Sequence, residues 1–168
     1  MFSAGVHAKT LRRKEFLTLE QFRKSKNISL CVLAALRENS FVTENELSRI
    51  IVDAAFKIHS TFGPGLFESV YESTIAYELR KRGCHVVCQR GVPVIYEEVK
   101  MDVGFRADII VNSKVIVEVK SVEALGKVHS KQLLTYLRLT DVRLGLLINF
   151  NVSLIKEGIR RVVNNLDE

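Results

Sequence analysis

The segment GFRADIIVNSKVIVEVK, residues 104–120, decides the fold because it predicts a β-hairpin with charged residues set into apolar strands. Valine and isoleucine dominate both halves, and Asn112-Ser113-Lys114 supplies a polar turn between them. Asp108 interrupts the first strand, and Glu118-Val119-Lys120 ends the second. Since burying an unpaired charge is strongly unfavourable, two carboxylates and an ammonium in this hairpin suggest a divalent-metal site with a cationic helper.

A turn of three residues fixes which residues of the hairpin face one another, since successive strand residues alternate between faces. The expected pairs are Val111 with Val115, Ile109 with Val117, and Ala107 with Val119. Together with Phe105, these residues are expected to line one face of the sheet. The same register predicts Asp108 opposite Glu118 and Arg106 opposite Lys120. A two-residue turn would mix the apolar and charged faces.

Opposed carboxylates at Asp108 and Glu118 destabilise a hairpin unless something offsets their charge. A shared cation would do so, which favours the metal site. The alternative is a solvated strand face on which the two acids form ion pairs with Arg106 and Lys120. Ion-pair networks of this kind imitate active sites, and the residues alone leave both interpretations open.

The positive charge of the chain is concentrated near its beginning. The net charge is +6, of which residues 1–42 carry +5 and residues 43–168 carry +1. We therefore predict one folded domain over residues 43–168, and a basic appendage over residues 1–42, partly helical around Leu17–Arg37 or included by a start codon assigned too far upstream. A basic nucleic-acid-binding surface on the domain would have to be a local patch.

Cysteine usage and hydropathy indicate the class of protein. The three cysteines are an odd number without the spacing of a disulfide framework, which predicts reduced thiols. No apolar run is long enough to span a bilayer. We therefore expect a cytoplasmic protein that does not bind membranes.

The order of the predicted elements indicates an α/β fold. Thr43-Glu44-Asn45-Glu46 fits a capping box at the start of a first helix, and Gly63-Pro64-Gly65 ends that helix. The later elements are expected at about Leu66–Arg82 (helix), Val86–Val94 and Val94–Met101 (strands), residues 104–120 (the hairpin), Val128–Thr140 (helix), Leu144–Phe150 (strand) and Ile159–Leu166 (helix). This order suits a central mixed β-sheet flanked by helices.

Polar residues outside the hairpin also occupy positions suited to a site. Glu68 lies at the edge of the apolar stripe of the second helix, although a solvated acid in the first turn is the alternative. On the third helix, Gln132 and Tyr136 share one face with His129, and hydrogen bonding at the sheet would also explain them. Tyr71 fits core packing with a satisfied hydroxyl as well.

Three motifs together resemble a known family. Gly65-Leu66-Phe67-Glu68-Ser69-Val70-Tyr71 resembles the signature of the GxxExxY proteins, a branch of the PD-(D/E)XK nuclease superfamily. Asp108 and Glu118-Val119-Lys120 resemble the core motif of that superfamily, with Ala107 in place of the name-giving proline. Gln132-Leu133-Leu134-Thr135-Tyr136 is similar to the Gln-xxx-Tyr motif of its exonuclease branch. The resemblance covers about residues 44–166 and implies a restriction-endonuclease-like core.

This resemblance implies a Mg²⁺-dependent nuclease, with Mn²⁺ able to substitute, acting on DNA more than on RNA. The residues it implies as ion ligands are Asp108, Glu118, Glu68 and the carbonyl of Val119. Lys120 would orient or deprotonate the attacking water, or offset charge on the phosphate. The residues expected to contact the nucleic acid or to support the site are Gln132, Tyr136, Tyr71 and Gly65, the last because its turn leaves backbone N–H groups at a helix start. The alternative is a non-catalytic module that keeps the fold and binds nucleic acid or protein.

Overall fold

The structure, a computed structural model, describes residues 42–166. The helix expected around Leu17–Arg37 lies outside these residues. The elements in chain order are α1 (Glu44–Phe62), α2 (Glu68–Lys81), β1 (Val86–Tyr96), β2 (Val99–Val111), β3 (Val115–Lys120), α3 (Lys127–Thr140), β4 (Leu144–Asn149), α4 (Ile155–Gly158) and β5 (Ile159–Val163). None of the helices within residues 42–166 is long and apolar enough to cross a membrane.

The five strands form one sheet in the order β1-β2-β3-β4-β5. Strands β3 and β4 are parallel, and the other three neighbouring pairs are antiparallel. A parallel pair needs a crossover connection, which α3 provides between β3 and β4. The predicted α/β fold with a mixed sheet flanked by helices is confirmed.

Helix α1 begins and ends where the sequence predicts. The Thr43 hydroxyl accepts a hydrogen bond from the Glu46 backbone N–H at 3.2 Å, and the Glu46 carboxylate accepts one from the Thr43 N–H at 2.8 Å. This reciprocal pair is the predicted capping box. At the other end, Gly63 has φ of 68°, a conformation in which glycine carries no steric penalty.

The register predicted for the hairpin is confirmed where β2 and β3 pair. Val111 faces Val115 and Ile109 faces Val117 across a three-residue turn. The pairing ends at Ile109, so the strands separate at the level of Asp108. The predicted pairs of Ala107 with Val119, Asp108 with Glu118, and Arg106 with Lys120 therefore do not form. The sheet is therefore forked next to this carboxylate.

The prediction that one apolar face runs along the whole of β2 is wrong. Ile109 and Val111 belong to the core cluster formed with α1 and α2, whereas Phe105 and Ala107 belong to the cluster formed with α3. Gln89, next to Asp108 on β1, has φ of 51° and interrupts the pairing of β1 with β2. The change of face occurs where this pairing is interrupted.

Two other elements differ from the prediction. The turn between β1 and β2 lies at residues 97–98, so Val99–Met101 begins β2 instead of ending a separate strand. Residues Ile159–Val163 form strand β5, not a helix, and pair with β4. Isoleucine and valine favour strands, and the open edge of β4 gives this short segment a partner.

Candidate active site

The candidate site is centred on Asp108, at the fork between β2 and β3. Its Oδ2 atom accepts a hydrogen bond from the Val119 N–H at 3.0 Å, and its Oδ1 atom accepts one from the Gln89 side-chain amide at 3.3 Å. The carboxylate is partly buried. Asp108 therefore links the strands on either side of β2 while keeping some access to solvent.

Glu118 is the most deeply buried acid of the site, with only 5% of its surface exposed. Its Oε1 atom accepts a hydrogen bond from the Lys120 ammonium at 2.7 Å, whereas its buried Oε2 atom has no hydrogen-bond partner. Burial raises the pKa of Glu118, an effect that the Lys120 hydrogen bond opposes and the charges of Asp108 and Glu68 reinforce. An unpartnered buried carboxylate oxygen is a suitable ligand for a cation.

Lys120 forms an ion pair with Glu118 and is also largely buried. Burial by itself lowers the pKa of Lys120, but the hydrogen bond to Glu118 and the charges of Glu118, Asp108 and Glu68 together raise it. The ion pair with Glu118 therefore favours the ammonium form of Lys120. The pKa values of Glu118 and Lys120 both respond to Asp108 and Glu68, which places the four side chains in one electrostatic cluster.

Glu68 is the first residue of α2, and it reaches the chain that follows β3. Its Oε1 atom accepts a hydrogen bond from the Ser121 N–H at 2.8 Å, and the Ser121 hydroxyl donates to the Leu66 carbonyl at 2.9 Å. Glu68 is exposed, which is also what the alternative of a solvated acid in the first turn of the helix predicts. The hydrogen bond from Ser121 nevertheless holds this carboxylate near the site, because Ser121 directly follows Lys120.

Two residues next to Asp108 were not predicted. The Gln89 amide that donates to Asp108 also donates to the Glu72 carboxylate at 2.7 Å. Burial and the charge of Asp108 raise the pKa of Glu72, and the Gln89 hydrogen bond opposes this. Glu72 could have been found from its place four residues after Glu68, on the same helix face. Gln89 gave no such signal, because its contacts depend on the interruption of β1.

Gln132 and Tyr136 contact each other on α3, as their spacing predicts. The Gln132 side-chain amide donates to the Tyr136 hydroxyl, and the Tyr136 ring stacks on Phe105 with 3.8 Å between ring centroids. Gln132 is exposed and Tyr136 is partly buried. His129 uses its Nδ1 atom to accept a hydrogen bond from the Gly126 N–H at 3.2 Å, so it caps the same helix.

Tyr71 supports the turn before α2 from inside the core. It is fully buried and stacks on Phe150 with 4.2 Å between ring centroids. Its hydroxyl donates to the Gly63 carbonyl at 2.7 Å and accepts from the Leu66 N–H at 3.2 Å. The expectation that the turn at Gly65 leaves its neighbouring N–H groups free is therefore wrong for Leu66. Burial also excludes direct contact between Tyr71 and a nucleic acid.

Two carboxylates of the site offer the oxygen atoms that a hard cation prefers. Among residues 42–166, no group of three or more His, Cys, Asp and Glu side chains is arranged to hold a metal ion. Asp108 and Glu118 offer carboxylate oxygens, including the unpartnered Oε2 atom of Glu118. Mg²⁺ is commonly bound by one or two carboxylates and keeps several waters, so this smaller set of donors fits it.

One of the comparisons with known proteins found a match. A family model described as the PD-(D/E)XK nuclease superfamily matches residues 45–162. The matched range includes Glu68, Asp108, Glu118 and Lys120. No curated protein and no solved structure matches the chain.

Proposed function

The chain belongs to the PD-(D/E)XK nuclease superfamily, and we propose that it is a Mg²⁺-dependent nuclease of the GxxExxY type that hydrolyses DNA in preference to RNA. The observation that carries this proposal is the buried Oε2 atom of Glu118, which has no hydrogen-bond partner. This atom belongs to the same cluster as a second carboxylate, that of Asp108, and the Lys120 ammonium. A purely structural ion pair would leave this oxygen desolvated without compensation.

Asp108 and Glu118 would hold the ion, with the Val119 carbonyl as a further ligand and Glu68 binding one of its waters. Superfamily members generally depend on divalent metals, and Mn²⁺ should substitute for Mg²⁺. Once bound, the ion would act as a Lewis acid on the phosphate and lower the pKa of a bound water.

Side chains of the protein would stabilise charge on the phosphate and contact the substrate. Lys120 carries a positive charge at the site, so it would donate to a phosphate oxygen and stabilise the negative charge that develops as water attacks phosphorus. Gln132 is exposed on α3 and can donate to the nucleic-acid backbone, while Tyr136 fixes its orientation.

The proposal is tested with end-labelled DNA and RNA in Mg²⁺, Mn²⁺ or EDTA. Wild type should cleave DNA in the presence of either ion, and Asp108→Asn and Lys120→Met should each reduce the rate at least about 100-fold. Lys156→Met, which removes an exposed ammonium from α4, is the matched control and should retain activity. Wild-type cleavage no faster than that of Lys120→Met would contradict the proposal for these substrates.

A second candidate is a binding module that keeps the nuclease fold without turnover. It is favoured by the internal donors that already occupy Oδ2 of Asp108 and Oε1 of Glu118. Such a module should bind nucleic acid or a protein equally well when Glu118 is replaced by Gln. A nuclease should lose its cation with that substitution, so calorimetric titration of Mn²⁺ into both proteins separates the candidates.

A further inference from the structure

Phe67 departs from two local preferences directly beside Glu68. It is the N-cap residue of α2 but makes no side-chain capping bond, although Ser, Asp and Asn are preferred there. The residue is also 83% exposed, the highest value among the exposed large apolar residues of the range 42–166. Departures from local preference concentrate at functional sites, where a ligand compensates for them.

Phe67 lines an open cleft of about 440 Å³ whose walls also include Glu68 and Ser121. Leu66 and Ser69 complete the lining. The Ser121 hydrogen bonds to Glu68 and to the Leu66 carbonyl hold the two sides of this cleft together. An aromatic surface is thus fixed one residue from a carboxylate of the candidate active site.

We propose that Phe67 stacks on an unpaired nucleobase in this cleft, which makes single-stranded nucleic acid the preferred substrate. This inference rests on the proposed nuclease function and specifies its substrate class. The bases of a duplex are already stacked on their neighbours, whereas a single strand can offer a base face to an aromatic side chain. Every base has such a face, so the contact would not select a sequence.

The composition of the cleft favours a nucleotide over an apolar protein surface. Glu68, Ser69 and Ser121 present polar groups beside the Phe67 ring. An apolar partner that covered the ring would also bury the Glu68 carboxylate, at a high cost in free energy. A nucleobase has an aromatic face for the Phe67 ring and N–H donors along its edge for the Glu68 carboxylate, and therefore matches both parts of the cleft.

Fluorescence anisotropy with one labelled oligonucleotide, used as a single strand and as a blunt duplex, tests the inference. Binding is measured with Ca²⁺, and a gel after each titration establishes that the probe is intact. Wild type should prefer the single strand, and Phe67→Ala should weaken single-strand binding about tenfold with little effect on the duplex. Phe67→Trp should retain the preference. Phe62→Ala is the matched control, because it removes a phenylalanine that is 51% exposed at the end of α1.

Unchanged single-strand affinity of Phe67→Ala, or an equal loss on both probes, would overturn the inference. So would sedimentation showing that wild type self-associates and Phe67→Ala does not, because Phe67 would then belong to a protein interface. Failure of the proposed function is a different result: wild type would cleave neither probe when Ca²⁺ is replaced by Mg²⁺, while the binding preference that depends on Phe67 would still support the stacking site.

Discussion

The Asp108 carboxylate and the Val119 backbone N–H are joined by a hydrogen bond of 3.0 Å, at the level where β2 no longer pairs with β3. A side chain thus takes over the role of a strand carbonyl. Because Val119 lies between Glu118 and Lys120, this bond ties the position of Asp108 to that of both neighbours. Asp108 consequently has a structural role that can be separated from its proposed role as an ion ligand.

Two substitutions of Asp108 should separate these roles. Asp108→Asn keeps an oxygen that can accept the Val119 N–H but replaces the acceptor of the Gln89 amide by an NH₂ group, so it should lower the free energy of unfolding less than Asp108→Ala does while Mn²⁺ binding is lost. Asp108→Ala leaves the N–H of Val119, a residue that is 1% exposed, without an acceptor. It should therefore lose Mn²⁺ binding and also lower the free energy of unfolding by about 1–3 kcal/mol. Urea unfolding and calorimetric titration measure the two effects. Equal stability of the Asn and Ala variants would show that the hydrogen bond contributes nothing.

Gln89 should act as a positioning residue for Asp108. Its amide donates to both Asp108 and Glu72, so Gln89→Ala would leave the Asp108 carboxylate without its lateral partner. Loss of a group that orients a metal ligand typically weakens metal affinity or activity 10–100-fold. We expect a decrease of about tenfold in Mn²⁺ affinity, measured by calorimetry without nucleic acid.

The control for Gln89 is Arg90→Ala, the adjacent exposed residue on β1, which should leave Mn²⁺ affinity unchanged. Gln89→Glu should weaken Mn²⁺ binding too, although it has nearly the same shape, because it replaces the shared donor by a third carboxylate. Wild-type affinity in both Gln89 variants would rule out a positioning role.

The parts of the fold that depend on local pattern could be predicted from the sequence. Alternation of apolar residues determines the register of β2 and β3, and the Thr43–Glu46 pair determines the start of α1. Strand β5 could not be predicted, because its five residues form a strand only by pairing with β4. The change of face along β2 lies beside the interruption of the β1–β2 pairing at Gln89, which apolar alternation within β2 does not reveal.

In the site, too, some features follow from local sequence pattern and others from contacts between distant segments. The hairpin pattern indicated Asp108, Glu118 and Lys120, and the edge of the apolar stripe of the second helix indicated Glu68. The unpartnered Oε2 atom of Glu118 and the hydrogen bond between Glu68 and Ser121 depend on packing between distant segments. The sequence pattern therefore indicates the acids but not which of their oxygens lack a hydrogen-bond partner.

Tyr136 offers a test of the α3 surface. Tyr136→Phe keeps the stacking on Phe105 but removes the hydroxyl that accepts from Gln132. If Gln132 contacts the substrate, the KM for DNA should rise about 3–10-fold with kcat nearly unchanged, because binding outside the reacting centre is weakened. Tyr136→Ala should in addition lower the free energy of unfolding by at least about 0.5–1.5 kcal/mol through loss of the aromatic pair. Steady-state kinetics and urea unfolding measure these effects, and an unchanged KM in Gln132→Ala would contradict the proposed contact.

The ion pairs of Glu78 should make stability depend on pH in the acidic range. Glu78 is buried on α2, and its carboxylate accepts from Lys57 at 2.9 Å and from Arg82. The hydrogen bond from Lys57, supported by Arg82, lowers the pKa of Glu78 below its ordinary value of 4.5 in spite of the opposing effect of burial. A carboxyl whose pKa is lowered by folding stabilises the protein above its unfolded-state pKa, and this contribution is lost as the pH falls through the folded-state value.

Glu78→Gln should therefore lower the melting temperature by a few degrees at pH 7, and its difference from wild type should shrink as the pH falls below about 4.5. Thermal unfolding of both proteins between pH 3 and pH 8 measures this difference. Glu98→Gln, at an exposed acid in the turn between β1 and β2, is the matched control and should follow the wild-type curve. A difference between Glu78→Gln and wild type that stays constant down to pH 3 would show that the lost stability comes from packing and not from the charge of Glu78.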